Sequence, residues 1–179
     1  MAKSKIIEYL LVDGYNIIFA WDDISKIADT SLDHARKKLI DILSNFQGYT
    51  KEVIIIVFDA HKVNEGKGSV ETHNNITVVY TKEKQTADIY IEKVVKEFTK
   101  KYKVRVATSD VVEQIIVMGS GAELVSATGL YREVRSINKR METRYMRDIK
   151  PVKNNMLIDN LDEKTAKLLE SMRMGKGSV

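Results

Sequence analysis

Four aspartates stand where hydrophobic, strand-like runs end or the next helix begins. They are Asp13 in LLVDGYN, Asp59 in IIIVFDA, Asp88 in KQTADIYIEK and Asp110 in VRVATSD. If those runs are parallel strands, their carboxyl ends share one sheet edge, where open α/β proteins hold ligands. Carboxylates gathered there repel, and two unit charges about 5 Å apart cost roughly 3 kcal/mol at an effective dielectric near 20. A hard divalent cation removes that penalty, and oxygen ligands of this kind suit Mg2+ or Mn2+. The pattern predicts a metal-dependent phosphodiesterase.

Each carboxylate also has a purely structural explanation. DGYN fits an Asx turn capped by Asn16, although the Asn16 amide equally suits a metal-bound water or a phosphate oxygen. Gly14 allows a sharp turn after the strand. Asp88 lies near a helix start capped by Thr86, where the helix dipole favours an acid by about 0.3–1 kcal/mol. Glu92, four residues on, shares its face and is a further candidate ligand. Asp110-Val-Val-Glu113 fits a capping-box pattern, so Asp110 can equally close a helix. Asp59 ends the most apolar run, where a lone charge would be costly without a cation or donors. Thr108 and Ser109 are candidates for orienting a metal water or touching phosphate, and Lys82 and Lys84 for holding phosphates. Tyr15 and Trp21 suit base stacking and local packing equally well. It is the shared placement of the aspartates that carries the prediction.

The elements that would position them alternate. Strands are predicted at Tyr9–Val12, Val53–Phe58, Ile76–Tyr80, Val104–Ala107 and, short, at Leu124-Val125. A helix is predicted from a Thr30 or Ser31 cap, with Ala35, Leu39, Ile42, Leu43 and Phe46 inward and Gly48 past its end. A second runs over Thr86–Lys100, and a short one leads from Asp110 to Gly119-Ser120-Gly121. A long basic helix capped by Ser126 ends at Pro151, and a last helix starts at Asn160 or Asp162 and runs through Met172. Residues 61–75 are polar with two glycines and read as a loop, and the GKGSV tail as disordered. Such alternation predicts an α/β fold with a parallel sheet and right-handed crossovers.

Composition narrows the classes. A chain of 179 residues, 44% hydrophobic and 30% charged, is expected to form one domain, large enough to bury a core. It has no cysteine, which excludes disulfides, thiolate zinc sites and a cysteine nucleophile and agrees with a cytoplasmic location. No apolar run reaches the roughly 18 residues of a membrane span. Net charge is +4, yet residues 131–153 hold eight Lys/Arg against three acids, a local +5. That stripe, with Arg140, Arg144 and Arg147 on it, suits a polyanion, or else is a solvated helix face. No phosphate-binding GxxxxGK[ST], dinucleotide GxGxxG or nucleophile GxSxG is present. His34, His61 and His73 lack metal-ligand spacing.

The succession LLVDGYN, VIIIVFDAH, VVYTKEKQTAD, VATSDVVEQ and GAELVSA resembles the NYN-domain family, a branch of PIN-like nucleases, and within it the YacP type of ribosome-associated endoribonucleases. The likeness spans roughly residues 9–150. It implies a PIN-like three-layer α/β/α sandwich over residues 1–150, with 151–179 as a helix and tail of the same unit. It also implies Mg2+- or Mn2+-dependent cleavage of mRNA on the translating ribosome, near the A site. By motif match the acidic site falls on Asp13, Asp59, Asp88 and Asp110, with Asn16, Thr108 and Ser109 in support. Glu123, Leu124 and Val125 before Ser126-Ala127, and Thr128-Gly129 after it, depart from the family pattern. The expected state is monomeric, with the ribosome and mRNA as partners and no membrane. Rival readings are a non-catalytic ribosome- or RNA-binding adaptor, a small-nucleotide phosphohydrolase and a PIN-type toxin.

Overall fold

A computed structural model describes residues 7–59, 68–82 and 85–148. The chain divides into two units, Met1–Lys139 and Arg140–Val179. The first holds a six-stranded sheet: β1 (Glu8–Asp13), β2 (Val53–Phe58), β3 (Ser69–His73), β4 (Ile76–Tyr80), β5 (Lys103–Thr108) and β6 (Glu123–Ser126). Strand order is β3-β4-β2-β1-β5-β6. All pairings are parallel except β3 with β4. Between the strands run α1 (Gly14–Ala20), α2 (Asp22–Ala28), α3 (Leu32–Thr50), α4 (Ala87–Phe98) and α5 (Val111–Gly119). Helix α6 (Ala127–Asp148) follows β6, and its residues from Arg140 onward belong to the second unit.

Side chains alternate across the sheet with a period of two. Leu10, Val12, Ile54, Ile56 and Val78 enter one core with α1, α2, α3 and the first turns of α6, around Ile17, Ile24, Leu39, Leu43, Phe46 and Leu130. Leu11, Val57, Val79, Val104 and Val106 enter a second core with Ile91 and Val95 of α4 and Val117 of α5. Helices therefore cover both faces, giving three layers, as α/β topology requires of a sheet buried on both sides.

Three local expectations change. Residues 69–73, expected in a loop, form β3, an exposed antiparallel edge strand. Its polar sequence gives no apolar alternation, and its strand character comes from backbone pairing through a two-residue Asn74-Asn75 hairpin with Asn74 at φ 53°. Residues 14–28, not assigned from the sequence, form α1 and α2. Each has only seven residues, broken by extended Trp21, whose indole nitrogen donates to the Ala127 carbonyl at 2.9 Å. Helix α3 starts at Ser31 as expected, the Ser31 hydroxyl accepting from the His34 amide, but runs through Gly48 and stops where Lys51 turns left-handed at φ 64°. His61, Lys84, the stop at Pro151, the 160–172 helix and the tail lie outside the described residues.

Candidate metal centre

β1 sits between β2 and β5, so the chain leaves it first to one side and later to the other. That is a topological switch point, where open α/β sheets hold ligands at the carboxyl ends of their strands. Asp13 ends β1, Asp59 follows β2, Asp110 follows β5, and Asp88 lies in the first turn of α4. Asp13, Asn16, Asp59, Asp88 and Ser109 line a cleft of about 380 Å³, with Tyr15, Phe19 and Ala20 of α1 on one wall.

Gly14 is required by a close approach rather than by a turn. A Cβ there would lie 2.2 Å from the Phe58 ring, so only glycine lets α1 start directly against β2. Asp13 caps that helix: Oδ1 accepts from the Asn16 amide at 3.1 Å and Oδ2 from the Asn16 side-chain nitrogen at 2.8 Å. The Ser109 hydroxyl donates in turn to the Asn16 side-chain oxygen. Asn16 thus combines its two sequence readings, cap partner and site residue, and fixes Asp13 in place.

The carboxylates that converge are Asp13, Asp88 and Glu113, each with an oxygen within 4.8 Å of the others. Glu113 was seen in the sequence only as half of a capping box. The first half of that box forms, because Asp110 Oδ1 accepts from the Val112 and Glu113 amides at 2.7 and 3.1 Å. The return half does not: the Asp110 amide donates to Thr108 Oγ1 at 3.1 Å. The Glu113 carboxylate is left to point inward beside Val117, these being the buried residues of α5. That stripe, an acid four residues before a core valine, was the legible signal.

Both Glu113 oxygens are buried without a hydrogen-bond partner. The Thr108 hydroxyl lies near enough to favour the charged form yet makes no well-formed bond to it. Burial, reinforced by the charges of Asp13, Asp88 and Asp110, pushes the Glu113 carboxyl up to about 8. Burial also raises Asp13, against the two Asn16 bonds, and Asp59 and Asp110 raise it further. Asp88 is exposed by comparison, but partial burial and the charges of Asp13, Asp110 and Asp59 raise it too. Orphaned buried oxygens beside two more carboxylates fit a hard divalent cation.

The other predicted residues separate. Asp59 accepts from the Thr81 hydroxyl at 3.4 Å and lies near enough for its charge to act on Asp13 and Asp88. Thr108 is fully buried and can only position its neighbours. Glu92 pairs with Lys96 and stands outside the converging set. Trp21 and Tyr15 are both buried, and the Tyr15 hydroxyl accepts from Arg36 at 2.7 Å. Lys82 is exposed after β4, Arg140 and Arg144 are exposed on the end of α6, and Arg147 lies in the same helix.

A family profile described as a YacP-like NYN domain matches residues 10–174. The chain belongs to the YacP-like NYN family. The YacP protein of Bacillus subtilis (strain 168) is 40% identical over 169 residues, covering 94% of this chain and 98% of its own length. The crystal structure of Rae1 (YacP) from Bacillus subtilis superposes with a TM-score of 0.70 at 36% identity, covering 94% of this chain and 95% of that one. A point mutant of the same protein gives 0.71 at 33% identity over 93% and 99%. The YacP-like fold and its acid cluster support a nuclease-type, RNA-related function. Among the described residues no helix is long and apolar enough to cross a membrane.

Proposed function

We propose that this YacP-like chain is a Mg2+- or Mn2+-dependent endoribonuclease that cuts mRNA on the translating ribosome, near the A site, as a cytoplasmic monomer. One observation carries the catalytic part: Asp13, Asp88 and a partnerless buried Glu113 converge at the switch point of the sheet. Asp13, Asp88 and Glu113 would hold the ion, which supplies hydroxide near neutral pH and stabilises the charge of an in-line displacement. Asn16 and Ser109 orient Asp13, while Thr108 fixes the start of α5 and with it Glu113. Asp59 and Asp110 add negative potential that would draw a divalent cation to the cluster. Lys82, Lys84, Arg140, Arg144 and Arg147 are assigned to phosphate-backbone contacts, which position RNA without reading bases. The ribosomal setting rests on the YacP-type motifs and the basic stripe.

The test is cleavage of an mRNA during in vitro translation with mapped 5′ ends, comparing wild type with Asp13→Asn plus Asp88→Asn. Cuts in register with the reading frame that vanish in the double variant are expected. Ribosome binding without cuts from either protein would put the non-catalytic adaptor in its place. Charge reversal at Arg140 and Arg144 is expected to weaken co-sedimentation with ribosomes and flatten its salt dependence.

A further inference from the structure

Helix α6 carries one apolar stripe with two fates. Ala127, Leu130, Val134 and Ile137 recur at three- and four-residue spacing and are buried. Met141 and Tyr145 continue the same spacing, four and eight residues past Ile137, yet both are exposed, Tyr145 by 70%. A lone exposed apolar side chain is ordinary on a surface. Here two follow in register, with arginines next to them. Successive helical residues are turned by about 100°, so Arg140 and Arg144 share a face that adjoins the face of Met141 and Tyr145. Both arginines are exposed. From Lys139 to Arg147 the sequence holds four Lys/Arg against one acid, Glu142, so the segment is cationic. The other tyrosine of α6 shows what a structural role looks like. Tyr131 donates its hydroxyl to Asp23 at 2.7 Å, packs edge-on against Trp21 at 5.2 Å and has the Arg135 guanidinium over its ring at 5.8 Å. Tyr145, about four turns further on, presents its ring to solvent instead.

We infer that Tyr145 is a stacking contact for an unpaired base of single-stranded mRNA, with Arg140 and Arg144 on the neighbouring phosphates. This deepens the nuclease reading and rests on it. Phosphate contacts account for the arginines and leave the exposed ring unexplained. A ring beside cations is how proteins hold single strands: the charges follow the backbone, and any base can stack, with little sequence preference. A duplex keeps its bases stacked on one another, so the contact selects unpaired RNA. Charge complementarity favours RNA over an apolar protein partner. A protein surface seated on Met141 and Tyr145 would have to desolvate the adjoining arginines, whereas a nucleic acid neutralises them.

The test measures binding of the full chain to a short single-stranded RNA by fluorescence anisotropy, in EDTA and over a series of salt concentrations. Tyr145→Ala and Tyr145→Leu should each weaken binding roughly five- to a hundredfold, with the slope of log affinity against log salt unchanged. Tyr145→Phe should bind as the wild type does. Arg140→Ala plus Arg144→Ala should flatten that slope by about 1.4, since each single-strand phosphate contact contributes about 0.7. Abasic sites in the RNA should weaken binding by the wild type and change little for Tyr145→Ala. Weak binding by Tyr145→Phe would make the hydroxyl the contact, and wild-type affinity in Tyr145→Leu would remove the ring from it; either overturns the stack. A lower melting temperature of Tyr145→Ala with RNA affinity unchanged would assign the face to the chain's own residues 149–179. Weaker co-sedimentation of that variant with ribosomes, again with single-strand affinity unchanged, would assign it to ribosomal RNA. Both outcomes overturn the proposal, as does absence of wild-type binding to the single strand. Cleavage in the translation assay reports separately. Cuts by the wild type with no Tyr145 effect on binding remove the stacking contact alone, and a Tyr145 effect without cuts removes the nuclease reading alone.

Discussion

At the edge where β2 and β5 begin, Arg105 reaches Glu52 at 2.9 Å and Glu133 at 2.6 Å, and the guanidinium is as buried as Glu52. At the edge where the same strands end, Asp13, Asp88 and Glu113 bring three carboxylates together. Both edges place acids against the ends of an apolar sheet, but they neutralise them differently. Burial opposes the Arg105 charge, yet the Glu133 and Glu52 contacts prevail and hold its proton more tightly than usual. Burial raises Glu52 despite Arg105, and the charges of Glu133 and Glu8 raise it further; its second oxygen has no partner. The first edge sets a buried guanidinium of the chain against its acids, one cation for two carboxylates. Among the described residues the second gathers three carboxylates that a divalent cation or protons would neutralise, which is what separates a structural ion network from a candidate ligand site.

The sharpest way to break that contrast is to remove the internal cation. Arg105→Met leaves Glu52 and Glu133 unmatched, and breaking a buried pair by deleting one partner typically costs about 3–5 kcal/mol. Denaturant unfolding in EDTA should show a loss of that order, and Mg2+ should not restore it. A loss under 1 kcal/mol would mean that the two edges are not differently balanced.

Removing an acid at the other edge should do the reverse. Glu113→Gln removes the buried carboxyl without emptying the space, so above about pH 8, where the carboxyl is charged, the metal-free protein should melt at the same or a higher temperature. RNA cleavage should fall by about a hundredfold or more, since loss of a direct ligand exceeds the 10–100-fold effect of outer-shell partners. A variant that cuts at the wild-type rate would remove Glu113 from the metal site. Retained cleavage in Asp13→Asn would remove the site itself.

Protons should neutralise the same carboxylates when no metal is supplied. The folded-state pKa of Glu113, about 8, lies above its ordinary 4.5, so between those values the folded protein holds more protons than the unfolded one. Metal-free stability should therefore be greatest below about pH 4.5 as far as this group is concerned, and should fall as pH rises towards 8. The slope is at most about 1.4 kcal/mol per unit for one proton. Mg2+ should flatten that slope by replacing the proton, and stability that rises with pH in EDTA would contradict the assignment.

The fold was legible because its signals are local and apolar. Runs such as VIIIVF and the Ala35-to-Phe46 stripe commit to strand and helix whatever surrounds them. Strand β3 was not, since SVETH gains its conformation from β4. The site was half legible. Asp13 and Asp88 stand out by their place at a strand end and a helix start, whereas Glu113 looked like a capping partner until the Asp110 amide was seen bonded to Thr108. The Asp110 amide bonds to Thr108 and Glu113 turns inward, and spacing alone encodes neither.

The mildest prediction tests whether the acidic edge is held ready for an ion. Asp13 is oriented by Asn16, and Asn16 by the Ser109 hydroxyl, a chain joining β1, α1 and the β5–α5 turn. Ser109→Ala removes the last link while leaving every carboxylate in place. Asn16 then keeps its bonds to Asp13 but loses the contact that fixes its amide orientation. Loss of such an outer partner should weaken metal affinity by about tenfold, the lower end of its usual range. Mn2+ titration by calorimetry reads this directly, without RNA. Ser109→Thr, which keeps the hydroxyl, should restore the affinity. If Ser109→Ala binds Mn2+ as the wild type does, Asp13 is held by Asn16 alone, and the orientation of the site is set within α1 without help from β5.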